Sequence, residues 1–451
     1  MKKSLFIICF VAFMGCFIST DAAPRGGRVR SRSRANARAR AEVLERNSGY
    51  YKDVFMDGGI LLTSRRTLPA ADFLNLQWEF FASAKNKKTL TKVDTLLQTS
   101  IFCGSEEDTN GWLLYPDGAP RYRMIYVNGG RAASHGRSMT PEGKAQMRRY
   151  VAAGGGYVGT CAGAYLASSG SGRKKRYSKE YYGLWPHSVY GTGLNRSKTD
   201  MTIERKSPLL RYYNFGRDKY IAEVRHNGGC FAKDEDFQTI PGVIEPLTRY
   251  VFENTKRVKI DGKISTWAYK KDAETGRVIS CGSHPEGVEE GERLEFMSAM
   301  MLYAMDGNPA PKVKGELKTG EVREMNKRTE DNNPDYTRIG DKQYHHFVVD
   351  VPKKCAKVVV SLEGYEGENN FDLLLCANSE AFAFEKNATC KSAAEGTNKQ
   401  LTIEKPKEGK WYVSVHCKTT VSSKTGKYGT EYSGRTDVLN GVPYKISVKV
   451  E

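Results

Sequence analysis

The chain has 451 residues, 39% of them hydrophobic and 27% charged, and a formal net charge of +18 from 70 Lys+Arg against 52 Asp+Glu. That length predicts two or three domains, and that composition excludes a globally disordered, collagen-like or multi-span membrane protein. The positive balance favours anionic partners and does not bear on fold.

In chain order, Lys2 and Lys3 precede an apolar run over residues 5–18, and Ser19-Thr20-Asp21-Ala22-Ala23-Pro24 follows. Charged, apolar and small-residue regions in that order are a secretory signal peptide, cut after Ala22 or Ala23. The run is shorter than the ~20 residues a membrane span needs. Residues 1–22 are therefore expected to be removed. The mature chain is expected to be exported, periplasmic or at the cell surface, with no transmembrane span. Cys9 and Cys16 leave with the leader. The cysteines that remain default to disulfides in an oxidising compartment.

Residues 23–48 include RGGRVRSRSRANARAR, with seven arginines and no acid, and are expected to form a disordered arm. The arm reads as a solvated tether or as a holder of anionic surface polymers. It lacks the interleaved aromatics of a single-strand nucleic-acid binder, so no specific nucleic acid is expected.

Residues 49–305 alternate strand-like and helix-like segments, which predicts a mostly parallel sheet covered by helices. Gly59-Ile60-Leu61-Leu62 is a short apolar run, and residues 68–84 have helical spacing. Residues 123–127 read as a strand ending in Asn128-Gly129-Gly130. Thr140-Pro141-Glu142 marks a helix start, and Gly154-Gly155-Gly156 stops that helix. Residues 157–159 and 277–280 are further strands, and 292–305 is a closing amphipathic helix. Residues 306–340, rich in proline and charge, read as a linker or strap. Beyond it the period becomes two, which predicts a separate antiparallel β-sandwich over 341–451. That part holds Cys355, Cys376, Cys390 and Cys417, an even set, so two internal disulfides of open connectivity are expected.

Three segments carry chemistry. Gly159-Thr160-Cys161-Ala162-Gly163 lies between a strand and a short helix over 162–167. Glycines on either side of a nucleophile permit a sharp strand-to-helix turn. The helix amino terminus beside the thiol favours the thiolate. Alone, the motif also fits a buried structural cysteine. Ser283-His284-Pro285-Glu286 follows a strand, and in extended chain residues i and i+2 share a face. His284 can thus take a proton from Cys161 while Glu286 fixes its tautomer; the bland alternative is a solvated loop. Backbone N–H groups of Gly129 and Gly130, with that of Ala162, form a candidate oxyanion cradle, where the alternative is an ordinary turn.

Together these segments resemble the class I glutamine amidotransferase-like superfamily, and more narrowly the biotin-protein ligase N-terminal type of domain. GGGYVGTCAGAYLAS at 154–168 and SHPE at 283–286 carry the resemblance, with His226-Asn227-Gly228-Gly229 similar to that family's N-G-G loop. The resemblance implies a flavodoxin-like three-layer α/β sandwich, with Cys161 as nucleophile, His284 as base and Glu286 as orienter. It also implies that Gly129, Gly130 and Ala162 form the oxyanion loop, and that His226 and Asn227 lie near the substrate. Residues 341–451 resemble bacterial pre-peptidase C-terminal domains, through Phe371-Asp372-Leu373-Leu374-Leu375 and Gly409-Lys410-Trp411-Tyr412-Val413.

No phosphate-binding P-loop and no G-x-G-x-x-G fingerprint is present, and His345-His346 lacks further ligands at metal spacing. No cofactor and no metal are therefore expected. Three functions follow. The first is an exported cysteine hydrolase acting on a small amide or peptide-like substrate. The others are a non-catalytic envelope ligand-binding or adhesion protein on the same scaffold, and a glutamine amidotransferase. Export would expose a nucleophilic thiol to oxidation, with Cys103, Cys230 and Cys281 as candidate partners.

Overall fold

The computed structural model describes residues 26–46, 49–59, 68–81, 113–238, 240–328, 333–367, 371–426 and 429–451. The expected leader, the apolar run at 60–62 and Cys103 lie outside the described residues.

The helices are α1 (Gly26–Glu45), α2 (Pro69–Phe73), α3 (Ala132–Ser138), α4 (Pro141–Ala152), α5 (Ala162–Ala167) and α6 (Glu292–Asp306). The first twelve strands are β1 (Lys52–Asp57), β2 (Trp78–Phe81), β3 (Tyr122–Val127), β4 (Gly156–Thr160), β5 (Ser168–Ser171), β6 (Trp185–Gly191), β7 (Ser197–Ile203), β8 (Tyr220–His226), β9 (Cys230–Phe231), β10 (Val243–Val251), β11 (Ile264–Lys270) and β12 (Val278–Cys281). Then come β13 (Val313–Glu316), β14 (Val322–Met325), β15 (Tyr344–Val351), β16 (Lys357–Glu363), β17 (Leu373–Asn378), β18 (Cys390–Ser392), β19 (Lys399–Glu404), β20 (Gly409–Cys417), β21 (Ser422–Gly426), β22 (Gly429–Ser433) and β23 (Tyr444–Val450).

The large sheet has eleven strands, ordered β21-β22-β2-β1-β3-β4-β12-β11-β10-β7-β8. The fold is α/β, and the sheet is mixed. From β2 to β12 neighbouring strands run parallel. From β12 to β8 they run antiparallel. The central strands are buried throughout because both faces are covered. Val54, Met56, Met124, Tyr126 and Val158 pack with Phe296, Met300 and Met301 of α6. Phe55, Ile125, Val127 and Tyr157 pack with Met147 and Tyr150 of α4 and Leu166 of α5. The start of α4 is as expected: Pro141 is its first residue and Thr140 Oγ1 accepts from the Gly143 N–H at 3.0 Å.

Several expectations are corrected. The helical spacing over 68–84 resolves into the short α2 and the strand β2, because Asn75 turns left-handed at φ +53° and ends the helix. The arginine-rich arm, expected to be disordered, forms α1. Alanines at 35, 37, 39 and 41 are interleaved with Arg38 and Arg40, all good helix formers. One turn apart, Ala39 and Val43 bury against the α6 side of the core. Arg40 is bound to the protein, donating to the Tyr212 carbonyl at 2.6 Å with its guanidinium 4.7 Å from the Tyr213 ring.

Residues 306–340 are more than a linker. They supply β13 to a five-stranded sheet, β13-β15-β20-β17-β18, and β14 to a four-stranded one, β14-β23-β16-β19. These two sheets face each other across Phe347, Leu373, Val413, Val358, Leu401 and Ile446. The carboxy-terminal part is not separate from the rest. Its β21–β22 hairpin extends the large sheet, with Phe81 of β2 pairing Gly429. Glu79, buried at the join, takes Lys52 at 2.6 Å, Tyr122 at 2.8 Å and Tyr432 at 2.5 Å. A second join is the buried pair of Arg121 and Asp341 at 2.7 Å.

The two expected disulfides are absent: Cys355, Cys376, Cys390 and Cys417 are all thiols. Strand register is the reason. Cys417 lies opposite Leu373 in the inner core, whereas Cys376 lies opposite Ser414 and packs with Leu374 and Ala383 in a different cluster. Cys355 instead hydrogen-bonds the Lys357 and Glu451 carbonyls at 3.3 Å each.

Candidate active site

The carboxyl ends of β3, β4, β12 and β8 converge, and each ends in one of the segments singled out above. This is the edge of an open α/β sheet where ligands bind, because strand ends and helix starts leave loops and N–H groups there.

Cys161 stands between β4 and α5 with φ +47° and ψ −102°, a sparsely populated conformation for a non-glycine residue. Holding it takes about 1–3 kcal/mol, which surrounding packing must over-determine. The flanking glycines do so. A Cβ on Gly163 would stand 2.1 Å from the Val127 carbonyl oxygen, and one on Gly159 would stand 2.5 Å from the Gly163 carbonyl carbon. The Cys161 N–H donates to the Cys281 carbonyl at 2.8 Å, which ties the elbow to β12.

His284 and Glu286 share a face, as period two requires, with His284 Nδ1 2.7 Å from Glu286 Oε1. Cys161 is near enough to act on the charge of this ring, while its thiol donates to the Asn227 carbonyl at 3.7 Å. Burial pushes the imidazole's pKa down, but Glu286 and the thiol outweigh it, and the value is pushed up to about 10. The second Glu286 oxygen, Oε2, is buried with no hydrogen-bond partner among the described residues. Leu68, Ala70, Val288, Leu294 and Met297 surround this carboxylate. An apolar wall strengthens its attraction for the imidazolium.

The glycine loop lies against the same ring. A Cβ on Gly129 would stand 2.1 Å from His284 Cε1, so only glycine allows this approach. Gly130 is open beyond it, with φ +145° and nothing near its Cβ position. Among the described residues, no turn or loop hydrogen bond uses the N–H of Gly129, Gly130 or Ala162. The first N–H groups of any helix lack intrahelical acceptors, so Ala162 N–H is available. Gly129→Ala is expected to abolish fast alkylation of Cys161 with little change in thermal midpoint, because the imidazole must swing aside. Iodoacetamide labelling alongside thermal unfolding checks this; undiminished labelling would show that the thiol does not depend on the position of that ring.

His226 and Asn227 are both at the site, in different ways. His226 is fully buried, with Nε2 2.7 Å from Thr192 Oγ1 and Nδ1 2.8 Å from Ser283 Oγ. Burial, and secondarily His284, lowers its pKa to about 4. A neutral ring with both nitrogens engaged anchors the loop carrying His284. Asn227 offers its backbone: its carbonyl accepts from the Cys161 thiol at 3.7 Å. The thiol residue is 3% exposed, so this turn partly covers it.

Groups beyond the predicted site residues complete the surroundings. Ser283, which opens the SHPE motif, and Thr192, which belongs to no local pattern, clamp His226. A Cβ on Gly282 would stand 1.8 Å from the Cys230 carbonyl, a contact between distant segments. Asp57 at the end of β1 is buried against His135, Oδ2 to Nε2, at 2.8 Å. Asn128, with its amide turned to suit its neighbours, donates to the Gly58 carbonyl at 2.9 Å and ties β1 to the glycine loop. Cys230 and Cys281 flank Cys161 as buried thiols. Burial raises Cys230 well above the ordinary thiol value and pushes Cys281 up to about 12. A cavity of about 340 Å³ lined by Tyr115, Asp117, Lys314 and His346 lies elsewhere and does not include Cys161.

Comparison with known proteins gives one family-model match and several distant structural likenesses. No curated protein matches the chain. A crystal structure of a glutamine amidotransferase is similar at 16% identity, covering 41% of this chain and 80% of that one, with a TM-score of 0.26. A ThuA-like protein from Bacteroides uniformis is similar at 12% identity, covering 58% and 97%, with a TM-score of 0.32. The pre-peptidase C-terminal domain of a Bacillus anthracis collagenase is similar at 12% identity, covering 32% and 100%, with a TM-score of 0.18. Residues 119–175, from the approach to β3 through the Cys161 elbow and α5, match the family model described as biotin-protein ligase, N terminal.

Proposed function

We propose that this chain is a cysteine amidohydrolase, built on a flavodoxin-like core of the glutamine amidotransferase-like kind, that cleaves an amide or peptide-like bond. The observation that carries this reading is the His284 ring, paired with Glu286 at 2.7 Å and packed against Gly129, with Cys161 nearby at a strained elbow. The thiolate of Cys161 attacks the carbonyl carbon. The oxyanion that forms takes hydrogen bonds from the N–H groups of Gly129, Gly130 and Ala162. Protonated His284 gives its proton to the leaving amine as the C–N bond breaks, which leaves an acyl-enzyme. Neutral His284 then takes a proton from water, the resulting hydroxide attacks the acyl carbon, and Cys161 departs as thiolate. Glu286 keeps the ring in place and stabilises its charged form.

Export of the mature chain and an accessory role for residues 341–451 belong to the same reading. Oxidation of the nucleophile is then restrained by its neighbours. Cys230 and Cys281 are buried and un-ionised at neutral pH, and the thiolate is the species that exchanges. One observation favours a ligand-binding protein instead: the Asn227 turn covers a thiol that is 3% exposed. A panel of small amide and ester substrates, compared between the wild type and Cys161→Ala, separates the two. Turnover is expected in the wild type alone, with an acyl mass adduct on Cys161 after quenching. A panel that leaves no adduct and shows no turnover, while binding persists, sinks the enzyme.

A further inference from the structure

We propose that the substrate handled at Cys161 carries a carboxylate beside the scissile carbonyl, and that Arg225 binds it; this rests on the amidohydrolase reading above. The argument is one of register. Arg225 of β8 and His284 are directly opposite in an antiparallel bridge, and the His284 N–H donates to the Arg225 carbonyl at 2.8 Å. The next step of that pairing sets His226 against Ser283, and those two side chains meet at 2.8 Å on the buried face. Opposed residues in such a pair share a face, with Cβ atoms about 5 Å apart. Arg225 therefore stands on the other face, beside His284, where the thiol is.

The charge at that place is uncompensated. Arg225 is exposed and no described residue forms an ion pair with it. Glu223, two residues earlier, is held by Lys198 at 3.0 Å. Glu286 is held by His284. Arg131, directly after Gly130 of the glycine loop, is a second exposed arginine, also without an ion pair among the described residues. A guanidinium presents a planar fork of donors that matches a carboxylate with two parallel hydrogen bonds. An anion docked there sits within a side chain's length of the histidine that protonates the leaving group.

Iodoacetate and iodoacetamide are near-isosteric thiol reagents that differ in a carboxylate against an amide, so they test this without a known substrate. Their alkylation rates at Cys161 would be measured by peptide mass mapping in the full mature chain, with N-acetylcysteine as reference. The acetate-to-acetamide rate ratio is expected to exceed that of N-acetylcysteine roughly tenfold at low salt, and to shrink at 1 M salt. Arg225→Gln should remove most of that excess and leave the iodoacetamide rate within about twofold. Arg225→Lys, which keeps charge but loses the fork, should fall between. Fast iodoacetamide labelling with a ratio indifferent to Arg225→Gln and Arg225→Lys overturns the carboxylate proposal and leaves the hydrolase reading standing. Slow labelling by both reagents in the wild type overturns the hydrolase reading, and this proposal with it.

Discussion

Replacing His284 with alanine is expected to slow alkylation of Cys161 by iodoacetamide by up to ~100-fold at pH 6.5, because the thiolate is the nucleophile and the neighbouring cation that favours it is gone. In the wild type the imidazole beside the sulfur has its pKa pushed up to about 10, since Glu286 and the thiol outweigh the effect of burial. The ring therefore stays cationic across the neutral range and stabilises the thiolate. The His284→Ala deficit should close as pH approaches 9, where any thiol ionises. Glu286→Gln should show a smaller loss, about tenfold, because the amide oxygen still accepts from Nδ1 while the negative charge is gone. Rates measured from pH 5.5 to 9.5 check this. A His284→Ala protein that folds and labels like the wild type at pH 6.5 would refute the pairing of Cys161 with His284. The same shift has a stability consequence. A histidine raised in the folded state contributes stability fully below its unfolded value of ~6.5, and that contribution disappears as pH rises through about 10.

The fold itself is expected to weaken steeply between pH 6.5 and 4. Burial lowers His226 to about 4, His346 to about 3 and His416 to about 4. His284 adds to the first of these, Lys314 to the second and Lys418 to the third. Each folded value lies below the unfolded ~6.5, so the unfolded chain binds more protons in that window, and stability falls as pH falls. Between pH 7 and 5 each of the three withdraws about 2 kcal/mol, a combined loss of roughly 6 kcal/mol. Denaturant unfolding at the two pH values reads this directly. His416→Gln should shrink the difference between them by about 2 kcal/mol, whatever it does to stability at pH 7. A stability that stays flat from pH 7 to 5 would mean that these rings are not held neutral by the fold.

The elbow and the His-x-Glu pair were legible because both obey local rules. Gly159 and Gly163 bracket Cys161 within one turn of chain, and steric contact at that distance fixes the backbone. His284 and Glu286 share a face because extended chain alternates. The strand ends, the Thr140 cap and the period-two strands of the carboxy-terminal part were legible for the same reason. Where local rules allowed two outcomes the reading went astray. The spacing over 68–84 suited a helix until Asn75 broke it, and arginines separated by alanines suited either a solvated arm or α1.

The sequence by itself determined which residue types stand at the carboxyl ends of the strands, and hence the thiol, imidazole, carboxylate and glycine-loop set. It also determined the start of the helix at Thr140 and the period-two strands of the carboxy-terminal part, since period and turn residues act over a few positions. Tertiary structure alone decided the rest. Whether the cysteines pair, whether Ala39 and Val43 find a partner surface, and whether the β21–β22 hairpin joins the large sheet depend on segments far apart in the chain. So does the placement of Arg225 opposite His284 and the burial that holds His226 neutral between Thr192 and Ser283. The physical reason is that register and burial depend on which distant strands meet, and no local period encodes that choice.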